Sequence, residues 1–268
     1  TNNDIGVSMI LNEGGDVFAD TEEYDQKEAV ALQAVVNKEL SSIGLSSVMI
    51  GSGFHPTPGQ MSGDLDLQIE LQDIIDRFNV QPDPTVKKDT IENAARRTLE
   101  AHLQSKGYQT KRAGINVFMR VPYRGKFYQV DLECIYKVAK VSKYHQHKIP
   151  QGSTYKGVGK QIMISMLAKE KSMMWSGWEG LFQRTPDNKK GDMVADDLDD
   201  IAKVLLGPQY GEADLGSVES ILAALPSAKA QDLLARAKAD KAWRERAPRT
   251  ESIRVGTNEW FRNMLNRL

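Results

Sequence analysis

Residues 22–40 (EEYDQKEAVALQAVVNKEL) repeat apolar side chains at the spacing of one helical face. Thr21, followed by Glu22 and Glu23, offers a start for that helix, because an N-terminal turn favours a hydroxyl cap and negative charge. Ser46 to Ile50 then forms a short apolar run stopped by Gly51, Ser52 and Gly53, which predicts a strand running into a turn. From Asp64 the pattern changes to alternation. Leu65, Leu67, Ile69 and Leu71 fall on one side while Asp64, Asp66, Gln68 and Glu70 fall on the other, as in a strand with one buried face.

The pattern next predicts a short helix over Gln72 to Phe78, a turn from Gln81 to Thr85, and a longer helix over Lys87 to Lys106 that Gly107 terminates. Ile115 to Tyr123 and Phe127 to Tyr136 read as a hairpin turning through Arg124, Gly125 and Lys126, with Asp131 in the middle of its second strand. Beyond Val158 the segments read as helices: Gly159 to Lys171, Met193 to Leu206, Ser217 to Leu225, Ala228 to Arg244 and Asn258 to Leu268. Pro150, Gly152, Gly157 and Gly159 interrupt the pattern between a strand-rich half and a helical half. The expected organisation is therefore α+β, with one domain over 1–150, a helical one over 151–268, and a cleft between them.

Composition narrows the class. With 268 residues, 40% hydrophobic and 26% charged, the chain can bury a core and is expected to fold as a soluble globular protein. The single cysteine, Cys134, excludes an internal disulfide and a Cys-rich zinc site, and is expected to serve core packing. No run approaches the roughly 20 apolar residues of a membrane span, and Thr1 to Gly6 lack the regions of a signal peptide. A cytoplasmic protein without membrane contact is the expectation. A net charge of -1 gives the whole chain no general attraction to nucleic acid.

The chemistry concentrates on carboxylates. Transfer at phosphorus with two metal ions needs acidic side chains that hold the ions about 3.5–4 Å apart. Aspartates at i and i+2 on a strand project from one face, so Asp64 and Asp66 suit this, and Asp131 on a neighbouring strand can complete the cage, with Glu133 as substitute or helper. Gly51 and Ser52 supply a backbone open to close approach and a hydroxyl that can bond a phosphate.

Gly51-Ser52, then Ser62-Gly63-Asp64-Leu65-Asp66-Leu67, then Val130-Asp131-Leu132 resembles the signature of the DNA polymerase beta-type nucleotidyltransferases over about 21–136. Two features depart from it: 11 residues separate Ser52 from Asp64, and Gly63 stands where many relatives place Ser directly before Asp. The resemblance implies a small mixed sheet flanked by helices, as in template-independent members that carry a helical region after the core. It further implies that Ser52 binds the triphosphate of a nucleoside triphosphate such as ATP. Asp64 and Asp66 would hold the escorting magnesium or manganese, and Asp131 would help activate an acceptor hydroxyl.

Other signals carry less. Residues 152–160 (GSTYKGVGK) lack P-loop spacing, yet Ser153, Lys156 and Lys160 lie at the expected joint near a helix start and are candidate phosphate contacts. His145 and His147 lack a third ligand, and His55 fits a surface turn as well as a nucleotide contact. Met173, Met174, Trp175 and Trp178 suit core packing better than base stacking, and Asp196, Asp197, Asp199 and Asp200 suit the acidic start of a helix. Residues 229–268 hold 10 Lys and Arg against 5 Asp and Glu, with Trp243, Trp260 and Phe261 interspersed; a solvated helix pair explains them better than a nucleic-acid or acidic partner.

The expected activity is transfer of a nucleoside monophosphate from a nucleoside triphosphate to a hydroxyl, with release of pyrophosphate. The rival reading is an idle nucleotidyltransferase-type fold serving as a binding or structural module in a larger assembly. Pyrophosphate transfer to a guanine nucleotide ranks below both. The sequence leaves the acceptor open among RNA, a nucleotide, a small molecule and a protein side chain.

Overall fold

Tyr24 is the first place where tertiary structure overrides local pattern. Helical spacing extends from residue 22, but Tyr24–Asp25 forms a short strand, β1, and the chain takes a 3-10 turn over Gln26–Glu28 before α1 (Ala29–Ser42) begins. The cause is burial: Tyr24, Asp25 and Gln26 are all buried, and β1 pairs antiparallel with β3 (Met61–Ser62). Between them lie β2 (Val48–Met49) and the single helical turn α2 (Gly51–Phe54). The computed structural model describes residues 17–56, 59–86, 89–146, 149–150 and 153–247. Lys87, His147, Lys148, Gly152, Trp260, Phe261 and the helix expected over Asn258 to Leu268 lie outside them.

The alternating segment is β4 (Asp64–Glu70), followed by α3 (Leu71–Phe78) and α4 (Ile91–Ser105). Thr90 caps α4 by accepting from the Asn93 amide, and Gly107, at φ +90°, follows the helix end. Three strands complete the first half: β5 (Gln109–Ala113), β6 (Asn116–Tyr123) and β7 (Lys126–Ile135). The sheet order is β2-β4-β7-β6-β5, and β4 and β7 are its parallel pair. Leu65, Leu67 and Ile69 of β4, with Val130, Leu132 and Cys134 of β7, enter one hydrophobic core with residues of α1, α3 and α4. The opposite face carries the polar side chains.

The second hydrophobic core begins at Ile135, ahead of the Pro- and Gly-rich stretch, because α5 (Val138–His145) packs into it. Glu70 starts that helix by accepting from the Lys137 and Val138 amides at 3.1 and 2.8 Å. Then come α6 (Gly157–Glu170) and β8 (Met173–Ser176), β9 (Gly180–Arg184) and β10 (Lys190–Ala195). These strands form an antiparallel sheet in the order β10-β9-β8. It corrects the expectation of helices alone in this half, including a helix starting at Met193: Met193 pairs with Phe182 in the sheet.

The remaining helices are α7 (Leu198–Leu205), α8 (Val218–Ala223), α9 (Ser227–Ala239) and α10 (Lys241–Arg246). Asp197 caps α7, whose first turn holds Asp199 and Asp200, as expected of an acidic helix start. The helix expected over 228–244 is two, because Asp240 turns extended and accepts from the Ala242 and Trp243 amides. The architecture is α+β. Among the described residues no helix is long and apolar enough to cross a membrane.

Candidate metal centre

Parallel pairing of β4 with β7 places Asp66 beside Asp131, and the period of two puts Asp64 on the same face. One carboxylate oxygen from each of Asp64, Asp66 and Asp131 lies within 4.8 Å of the others. Three acidic groups this close repel one another unless a proton or cation intervenes. Asp131 shows the effect: burial first, then the charge of Asp64, raise its carboxyl well above the ordinary range, while a hydrogen bond from Gln129 pulls the other way. Hard oxygen donors in this spacing fit magnesium or manganese.

The strand ends hold the aspartates in position. The Tyr24 hydroxyl and the Ser62 hydroxyl both donate to the Asp64 carbonyl at 3.1 Å. Burial, followed by the charge of Asp66, drives the Tyr24 phenol far up, so it stays a neutral donor. The Ser52 hydroxyl lies 2.9 Å from that of Ser62. The Ile50 amide donates to the Asp66 carbonyl at 3.1 Å, and the chain then turns at Gly51 with φ +62°. A Cβ on Gly51 would stand 2.4 Å from Asp66 Oδ2, so glycine is required both for the turn and for the room it leaves beside the carboxylate. Gly51, Ser52, Asp64, Asp66 and Asp131 therefore converge.

Glu133 lies one step further along the same face and outside the carboxylate trio. Gln68 donates to it at 2.9 Å, and burial raises its carboxyl. The buried acceptors Gln68 Oε1 and Asn116 Oδ1 have no donor among the described residues, and register places both residues directly beside Glu133.

The three later candidates part company. Ser153 is engaged with Glu219, and Lys156 is an exposed residue at the start of α6 whose amide donates to the Ala247 carbonyl at 2.7 Å. Lys160 is only 1% exposed and has no hydrogen bond or ion pair among the described residues. Burial lowers its ammonium to about 8, offset in part by the charge of Glu212. Burial also lowers His145 to about 4; its Nε2 lies 2.8 Å from the Gly177 carbonyl, and its ring stacks on Trp178 at 4.5 Å. Trp175 donates to Gln161 at 2.7 Å and packs edge-on to Tyr144, so this aromatic group serves packing. His55 is exposed beside Phe54.

Sequence pattern offered no sign of Tyr24 or Gln129, whose neighbours come from distant segments. No model of a known protein family matches the chain, and no curated protein matches it by sequence.

Proposed function

We propose that the chain is a metal-dependent nucleotidyltransferase that moves a nucleoside monophosphate from a nucleoside triphosphate to a hydroxyl acceptor. The observation that carries this reading is the carboxylate trio of Asp64, Asp66 and Asp131, set on two parallel strands beside Gly51, whose missing side chain leaves room for Asp66 Oδ2. Asp64 and Asp66 would hold the magnesium or manganese that accompanies the triphosphate, and Asp131 would complete the cage on the acceptor side. The ions would neutralise charge on the attacking and leaving oxygens.

The remaining residues bind and orient. Gly51 leaves room for the Asp66 carboxylate at the turn, and Ser52 offers its hydroxyl to the triphosphate. Lys160 is a buried cation with no ion pair among the described residues and is suited to a phosphate oxygen. The acceptor oxygen attacks the α-phosphorus, the bond to the pyrophosphate oxygen breaks, and the acceptor proton passes toward the ionised Asp131 carboxylate. Pyrophosphate leaves.

The test is incubation of the chain with each α-labelled nucleoside triphosphate and magnesium or manganese, with and without RNA, beside Asp64→Ala. Label transferred by the unmutated chain alone supports the reading and shows the acceptor class. No transfer with either ion, together with no metal-dependent nucleotide binding, favours the idle module.

A further inference from the structure

We infer that Gln129 is the positioning residue of Asp131, and that residues 17–22, strapped across the polar face of the sheet, hold Gln129 in that role. This rests on the reading of Asp131 as a metal carboxylate. Gln129 and Asp131 stand two apart on β7 and share a face. Gln129 is fully buried; its Nε2 donates to Asp131 Oδ1 at 2.9 Å, and its Oε1 accepts from the Val17 amide at 2.9 Å. A main-chain N–H can take only an acceptor, so the Val17 amide fixes Gln129 Oε1 toward itself and leaves Nε2 turned toward Asp131.

The strap is anchored on the sheet that carries the site, at β5, β6 and β7. Lys111 of β5 donates to the Val17 carbonyl and lies over the buried Phe18 ring, 5.3 Å from its centre. Arg120 of β6 pairs with Asp20, and the Glu22 amide donates to the Phe127 carbonyl of β7 at 2.8 Å. Displacing the strap removes the donor that holds Gln129 Oε1 and leaves its grip on Asp131 less constrained. Partners that orient metal ligands typically matter by about 10–100-fold in metal affinity or activity.

Manganese binding to the full chain, read by electron paramagnetic resonance, tests this apart from turnover. Gln129→Met keeps the length of the side chain and removes its hydrogen bonds to Val17 and Asp131; it should weaken manganese by about 10–100-fold while leaving the melting curve in EDTA cooperative. If that variant does not fold, Gln129→Asn, polar but too short to span both partners, carries the same expectation. The double variant Asp20→Ala, Lys111→Ala loosens only the strap. It should weaken manganese several-fold and add nothing when combined with Gln129→Met, because both act through one contact.

Affinity within twofold of the unmutated chain in the folded Gln129 variant, or unchanged affinity in the strap variant, overturns the inference. So does a combined loss equal to the product of the separate ones. If the unmutated chain binds manganese but transfers no label, the proposed reaction fails while the positioning role is still decided by affinity. Absence of manganese binding overturns both.

Discussion

Gly51 shows how one missing side chain shapes the site. Its φ of +62° and the 2.4 Å approach of a notional Cβ to Asp66 Oδ2 mean that Gly51→Ala must displace either the turn or the carboxylate. The substitution should cost more than about 1 kcal/mol in unfolding free energy, and calorimetric titration should show weaker manganese binding. Equal affinity would remove Gly51 from the site. Asp131 makes the converse case, since its carboxyl is raised by burial and by Asp64. In the metal-free fold it keeps a proton that the unfolded chain releases, so the stability it lends is full below about pH 4 and is lost as pH rises toward and through its elevated folded value. Asp131→Asn removes that loss. In EDTA its melting temperature relative to the unmutated chain should climb between pH 5 and pH 8, while label transfer disappears. A difference that stays flat with pH contradicts the assigned proton affinity. The alternation around Asp64 and Asp66 was readable because period two is local; the adjacency of Asp66 and Asp131 depends on the register of strands 65 residues apart in sequence.

Elements were legible where one periodicity ran uninterrupted to a cap, as in β4, α3 and the β6–β7 hairpin. The β8–β10 sheet was hidden because its strands are short and because Met173, Met174 and Trp175 offer no alternation to read. Its geometry relies on Gly180, at φ +121°, where a Cβ would meet the Ala195 carbonyl at 2.6 Å. The break between α9 and α10 was hidden for a different reason: helical spacing continues across Asp240, and only its side-chain bonds to the Ala242 and Trp243 amides mark the new start. Asp240→Ala should therefore cost about 0.5–2 kcal/mol, measured by urea unfolding, as expected for loss of a helix cap. A cost near zero would mean that packing of the buried Trp243 alone fixes the start of α10.

Across the whole molecule, two hydrophobic cores meet where α5 follows β7, and Gln146, just past α5, donates to the Met49 carbonyl at 3.3 Å next to the Gly51 turn. The helix α6, which packs into the second core, also buries a cation. Lys160 is buried, is lowered to about 8 by desolvation, and has no ion-pair partner among the described residues. A depressed lysine costs stability below its folded value, where the buried amine must charge, and that cost fades as pH rises from about 8 toward the ordinary lysine range. An unpaired buried charge is costly, and replacing it with an apolar side chain of similar length is often neutral or stabilising. Lys160→Met should thus melt at the same temperature as the unmutated chain or above it at pH 7. If the ammonium instead meets a triphosphate oxygen, the same variant should raise the KM for nucleoside triphosphate by about tenfold or more, the scale of a lost charge-assisted hydrogen bond of roughly 1.5–3 kcal/mol. Only the charged amine serves the phosphate, so in the unmutated chain nucleotide affinity should weaken as pH passes above about 8, and in Lys160→Met that dependence should vanish. A more stable variant with unchanged KM and an unchanged pH profile would separate Lys160 from the nucleotide and leave the proposed site resting on the carboxylate trio with Gly51 and Ser52.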